Sequence, residues 1–232
     1  MPRGFDGFRP PALRFFHELA ANQDRDWFQA HRSVYETEVR VPLGALVDTL
    51  SLAFAAHGIP LTGDAKRSLF RINRDVRFSK DKSPYKTNAG AVLSRDGTKT
   101  ASGVLYIQIG GADGALMAVG FYGPEPDALA AIRQAIADAP ERWLATEAIL
   151  ATAGLALSRD QALQRMPKGF EAHAGAPVAD ALKLKSFVVI GYIPDERLFE
   201  AALVDDILAF AMSGLPLLSF GRTAIQRGRR KD

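Results

Sequence analysis

Three apolar segments of strand length, residues 87–93, 103–110 and 115–122, follow one another in the middle of a 232-residue chain. Between them stand Arg95-Asp96-Gly97-Thr98 and Gly110-Gly111-Ala112-Asp113-Gly114, which place Gly and Asp where tight turns need them. Parallel neighbours need a crossover of about a dozen residues or more, so connections this short predict antiparallel pairing. A fourth strand is expected in the apolar run Phe187-Val188-Val189-Ile190-Gly191-Tyr192-Ile193. Helical patterns flank this group on both sides. Strands gathered in the middle, without alternating βαβ units, predict an α+β fold: a mainly antiparallel sheet packed by N-terminal, middle and C-terminal helices.

The helical patterns are specific. Ala12, Phe15, Phe16 and Leu19 recur at amphipathic spacing, Asn22 and Gln23 break the pattern, and Asp24 is placed to cap the next helix through Trp27, Phe28, His31, Val34 and Tyr35. Pro42 is expected to end or kink that helix near Arg40. Leu43, Leu46, Val47, Leu50 and Phe54 then stripe a further helix that stops at His57-Gly58. Downstream, Leu129, Ile132 and Ile136 mark one helix and Pro140 opens another containing Trp143. Ser158 with Gln161 resembles a capping box before a short helix ending at Met166-Pro167. Pro194-Asp195 starts a last helix with Phe199, Leu203, Ile207 and Phe210 on its apolar face. No internal repeat or low-complexity linker divides the chain. One domain over residues 1–226 is expected, followed by a basic tail, 227–232, read as disordered.

Charge is distributed unevenly. The chain holds 29 Lys and Arg against 26 Asp and Glu, a net of +3, yet the window Lys66–Lys86 alone holds eight Lys/Arg and two acids, a net of +6. Such a concentration marks a place for something anionic. Within it Ser68 to Phe78 mostly alternates, which predicts a strand with Phe70, Ile72, Val76 and Phe78 on an apolar face and Arg71, Asn73, Asp75 and Arg77 opposite. Arg74 breaks the alternation and is expected either to be buried with a partner or to be turned out by a bulge. Arginine supplies a rigid fork for phosphate or carboxylate and lysine a point charge. The expected anion-binding residues are therefore Arg71, Arg74, Arg77, Lys80, Lys82 and Lys86, with Tyr85 as a hydroxyl or stacking surface. Lys168, presented by the turn Met166-Pro167-Lys168-Gly169-Phe170, joins them as an expectation. Asp75 is expected to form a structural ion pair with the arginines around it, since their charge makes it a poor base.

Several chemistries are excluded or unsupported. Zero cysteines rule out disulfides and thiolate ligands, and the four histidines show no metal spacing, so no metal is expected. There is no GxxxxGK[ST], GxGxxG or GxSxG, and no cofactor is expected. No uninterrupted apolar run approaches the roughly 18–20 residues that span a bilayer, and the opening MPRGFDGFRPPALRFF has no apolar core before a cleavage site. A cytoplasmic location without a membrane partner is the expectation.

Four stretches carry a resemblance: ANQDRDWFQAHRSVYE (21–36), RINRDVRFSKDKSPYKTN (71–88), MPKGF (166–170) and LKLKSF (182–187). From Phe15 to about Phe220 the chain resembles the domain of unknown function 2461 family, with Gln23 departing from an Asn common in that family. The resemblance implies no reaction, ligand or catalytic residue. The reading the residues favour is a protein binding a phosphorylated or carboxylated small molecule, with no residue set that prescribes a reaction. The alternative is a nucleic-acid-binding module using the same basic window.

Overall fold

The computed structural model describes residues 4–77 and 80–229. Phe78, Arg230, Lys231 and Asp232, included in the sequence-based expectations, lie outside the described residues. The elements in chain order are α1 (Pro10–Ala21), α2 (Arg25–Val34), a π-helical turn (Tyr35–Arg40), α3 (Val41–Ala56), β1 (Asn88–Ser94), β2 (Val104–Gly110), β3 (Ala115–Phe121), α4 (Pro126–Asp138), α5 (Pro140–Thr152), α6 (Ala179–Leu182), β4 (Phe187–Ile193), α7 (Asp195–Leu198) and α8 (Leu203–Gly228). The strands form one antiparallel sheet in the order β1-β2-β3-β4, an α+β architecture.

The chain forms two compact units. The first comprises Met1–Ala101, Leu105–Met117 and Tyr192–Ala209, the second Ser102–Val104, Ala118–Gly191 and Phe210–Asp232. In the first, Phe15, Leu19, Leu43, Leu46, Leu50 and Phe54 are buried from the helices, and Leu93, Leu105 and Ile107 from the strands. In the second, Trp143 is fully buried with its ring edge-on to Phe187 at 5.6 Å and to Phe220 at 5.0 Å. A tight spot in this unit is Gly120, whose φ of +139° suits only glycine. A Cβ there would lie 2.0 Å from the Phe187 carbonyl oxygen.

Four local expectations are corrected. Helix α2 does not end near Arg40. Asp24 caps it by accepting from the Asp26 and Trp27 amides at 2.8 and 3.0 Å, and it runs through the π turn into α3. In that turn the Val41 amide reaches back to the Glu36 carbonyl, one residue further than in an α-helix. The wider loop of chain gives the Pro42 ring room where it would otherwise meet a carbonyl four residues back. Residues 158–166 form no helix, because the Ser158 amide is used on the Val188 carbonyl at 2.9 Å and Leu157 bridges to Val189 beside β4. The last helix is broken after α7, where Arg197 pairs with both Glu200 and Asp206, and α8 starts at Leu203. It continues through Arg227 to Gly228.

The fourth correction bears on the site. Ser68 to Arg77 is not a continuous strand, because its backbone changes partners midway. The Phe70 amide donates to Gly90 on β1 at 2.9 Å, and the Val92 amide to Ser68 at 3.1 Å. Two residues later the partner is the segment's own return arm: Lys86 donates to the Ile72 carbonyl at 2.8 Å and Arg74 to the Pro84 carbonyl at 2.9 Å. Arg71 stands at the switch.

By length and composition alone, Arg25–Ala56 and Leu203–Gly228 are apolar enough to cross a membrane. Each also carries a buried apolar face, Leu43 to Phe54 in the first and Leu203, Ile207, Leu217 and Leu218 in the second.

Candidate functional site

Along the extended chain entering β1, Lys86, Asn88 and Gly90 are two residues apart and so share a face. On β2, Tyr106 and Gln108 share a face in the same way, while the alternate residues Leu105, Ile107 and Ile109 are fully buried in the core. The non-core faces meet around a half-open cleft of about 320 Å³ lined by Phe70, Arg71, Lys86, Asn88, Gly90 and Tyr106. The partner switch described above explains Arg71, which is carried on the stretch of backbone between the two ladders. Gly90 explains the fit of Tyr106. A Cβ at position 90 would stand 2.7 Å from the Tyr106 hydroxyl and 2.8 Å from its ring, so only glycine lets this tyrosine lie across β1.

The floor of the cleft is fixed by amides. Asn88 Nδ2 donates to Gln108 Oε1 at 2.6 Å, Tyr106 donates to the same oxygen at 3.2 Å, and Gln108 Nε2 is held by the Gly110 and Gly114 carbonyls. Burial pushes the Tyr106 hydroxyl above the usual tyrosine range, so it stays a neutral donor. The rings of Phe70 and Tyr106 meet edge-on at 6.2 Å.

Cations crowd the rim. The ammonium groups of Lys86 and Lys99 each lie 5.5 Å from the centre of the Phe70 ring. Lys99 also donates to the Leu69 carbonyl at 2.8 Å. Burial, and after it the charges of Arg71, Arg74 and Lys99, push the Lys86 ammonium below the usual lysine range. Among the described residues, Arg71, Lys86 and Lys99 form no ion pair with a carboxylate. Asp75 is near enough to feel the charge of Arg71 but is gripped by Arg77.

Of the other basic residues, Arg74, Arg77 and Lys82 are engaged within their own loop. Arg74 pairs with Asp81 at 2.7 Å, while its Nε is buried without a hydrogen-bond partner. Arg77 holds Asp75 with two side-chain contacts at 2.7 and 3.0 Å, and its backbone amide adds a third at 3.2 Å. Lys82 donates to the Val76 carbonyl at 2.9 Å, and Lys80 is exposed. Tyr85 is buried, its ring stacked on Phe28 at 4.3 Å and its amide donating to Gln23 Oε1 at 3.1 Å. Lys168 is exposed and belongs to the second unit.

A family model described as conserved hypothetical protein (DUF2461) matches residues 11–220. The chain belongs to that family. No curated protein and no solved structure matches the chain. In this DUF2461 chain the signature-like segment 71–88 therefore does two separate things. Arg71 and Lys86 face the cleft, whereas Arg74, Asp75, Arg77, Asp81 and Lys82 shape the loop between the two arms. Sequence reasoning missed Lys99, Asn88, Gly90, Tyr106 and Gln108, and it took Phe70 for a core residue. The signal was available only for Asn88 and Gly90, which continue the two-residue period of Lys86 into an otherwise apolar strand. Among the described residues no group of three His, Asp or Glu is placed to hold a metal ion.

Proposed function

We propose that the protein binds a phosphorylated or carboxylated small molecule in the cleft between Phe70 and Tyr106, as a cytoplasmic anion-binding protein. Arg71 supplies a planar fork, Lys86 and Lys99 supply point charges, and Asn88 and Tyr106 supply polar contacts to the body of the ligand. The observation that supports this is the crowding around Lys86, where Arg71, Arg74 and Lys99 all raise the cost of its charge. Like charges gathered beside a cleft repel one another, and an anion seated among them relieves that repulsion. The volume is at the low end for ligand pockets, which suits a metabolite-sized molecule.

A nucleic-acid strand would use a row of free cations following its phosphates. The bonds that engage Arg74, Arg77 and Lys82 inside the loop weigh against such a row among the described residues of this segment. The test is thermal denaturation in sodium phosphate, sulfate and chloride at matched ionic strength. Phosphate and sulfate are expected to raise the melting temperature more than chloride, and Arg71→Ala is expected to abolish the difference. Equal effects of the three salts on the parent protein refute the site. Sub-micromolar oligonucleotide binding at about 150 mM salt, lost in a Lys80→Ala, Lys82→Ala variant, would put nucleic acid in place of the small anion.

A further inference from the structure

Of the basic groups around the cleft, Lys86 has the freest nitrogen. Lys99 is committed as a donor to the Leu69 carbonyl, and Lys82 to the Val76 carbonyl. Arginine does not give up its proton in a protein. Lys86 lines the cleft, and among the described residues its Nζ makes no hydrogen bond or ion pair; it lies over the face of Phe70, 5.5 Å from the ring centre. A lysine that is partly desolvated and set beside other cations has its charged form disfavoured relative to a solvated lysine, and so carries more of the free amine.

We propose that Lys86 is an amine nucleophile, forming an imine with anions that also carry an aldehyde or ketone, such as 2-oxo acids. The inference rests on the anion-binding reading above, since Arg71 and Lys99 would hold the anionic group while Lys86 reaches the carbonyl. The neutral Nζ adds to the carbonyl carbon, and the carbonyl oxygen then leaves as water with both amine hydrogens. A C=N bond replaces the C=O bond, and nothing is oxidised or reduced. Burial and the neighbouring positive charges, which lower the Lys86 pKa, favour the amine form that this addition needs.

The probe is glyoxylate, incubated with the full chain and reduced in place with cyanoborohydride, with peptide mapping by mass spectrometry. Incorporation at Lys86 is expected to exceed that at exposed Lys80 and Lys82 by about threefold or more, the direction a desolvated lysine dictates. Added phosphate is expected to suppress it, and Lys86→Arg to remove that adduct alone. Equal incorporation at the three lysines of the parent protein overturns the proposal, and needs no variant to fold. The phosphate response is measured on the same preparation. Equal labelling with that response intact sinks the imine alone, and loss of both sinks the anion site with it.

Discussion

Lys86→Met removes one of four clustered cations and keeps an unbranched side chain of similar length over the Phe70 ring. Three effects compete. Arg71, Arg74 and Lys99 each repel Lys86, but solvent reaches the group, so each repulsion is worth only about 0.3–0.5 kcal/mol, the scale of exposed charge pairs. Arg74 counts for less because Asp81 sits 2.7 Å from it, which leaves a total near 1 kcal/mol. Against this stands the lost cation–π contact, about 0.5–1 kcal/mol at an accessible site. A methionine sulfur against the same ring returns about 0.3–1.5 kcal/mol. The balance favours the variant by about 0.3–2 kcal/mol, and near 1 kcal/mol at the centre of that range the melting temperature rises by about 2–4 °C for a chain of this size. Calorimetry at low ionic strength, repeated at about 0.5 M salt where screening lengths shrink to a few ångströms, reads both the sign and its electrostatic origin. The same variant is expected to lose the extra stabilisation by phosphate. A variant less stable than its parent, or a gain that salt does not diminish, refutes the idea that these cations strain one another.

Gly120→Ala is expected to cost about 3 kcal/mol or more, because a conformation reserved for glycine is compounded by a backbone contact that no side-chain rotation relieves. Gly154→Ala, also at positive φ but with nothing within 4 Å, serves as the control at about 1–2 kcal/mol; equal costs in urea denaturation would show that the Phe187 carbonyl yields. For pH, the side-chain hydrogen bond from Arg77 holds Asp75 below the usual carboxylate range, and Ser83 does the same for Asp81. A depressed folded pKa contributes stability above the unfolded value of about 3.9, lost as pH falls through the folded one, so the Asp75–Arg77 and Asp81–Ser83 contacts should persist to about pH 4 and loosen below it. Carboxyl titration by NMR checks this, and a midpoint at or above the unfolded value for Asp75 rejects the Arg77 contact in solution.

The sequence located the sheet well because strand length, turn glycines and short connections are all local. Strands expected at 87–93, 103–110 and 115–122 appear at Asn88–Ser94, Val104–Gly110 and Ala115–Phe121. The basic segment resisted for a physical reason. Alternation records which way side chains point, and Ile72 is buried between exposed Arg71 and Asn73 as it requires, but it holds no record of which backbone each residue pairs with. The change from Gly90 to Lys86 as partner is a tertiary event. A similar limit hid the cleft. Charge counting weighs every cation alike, whereas Asp75 and Asp81, only two to seven residues from their partners, take up Arg77 and Arg74. Lys99 escaped because it enters from the β1–β2 connection, outside the window that charge density picked out.

The π turn gives the first helices a consequence for the cleft. One extra residue in a helix advances everything after it by about 100° around the axis. Arg25–Ala56 is thus a single shaft whose two halves are clocked against each other. A clamp sits at its front end: Gln23, just ahead of the capping Asp24, accepts from the Tyr85 amide, and Phe28 in the first turn stacks on the Tyr85 ring. The rear half presents Leu43, Leu50 and Phe54 to the core. Lys86 is bonded directly to the clamped tyrosine, so the clocking of a helix remote in sequence sets where the amine stands. Deleting one residue between Glu36 and Glu38 would leave a smoother helix and a mis-aimed lysine.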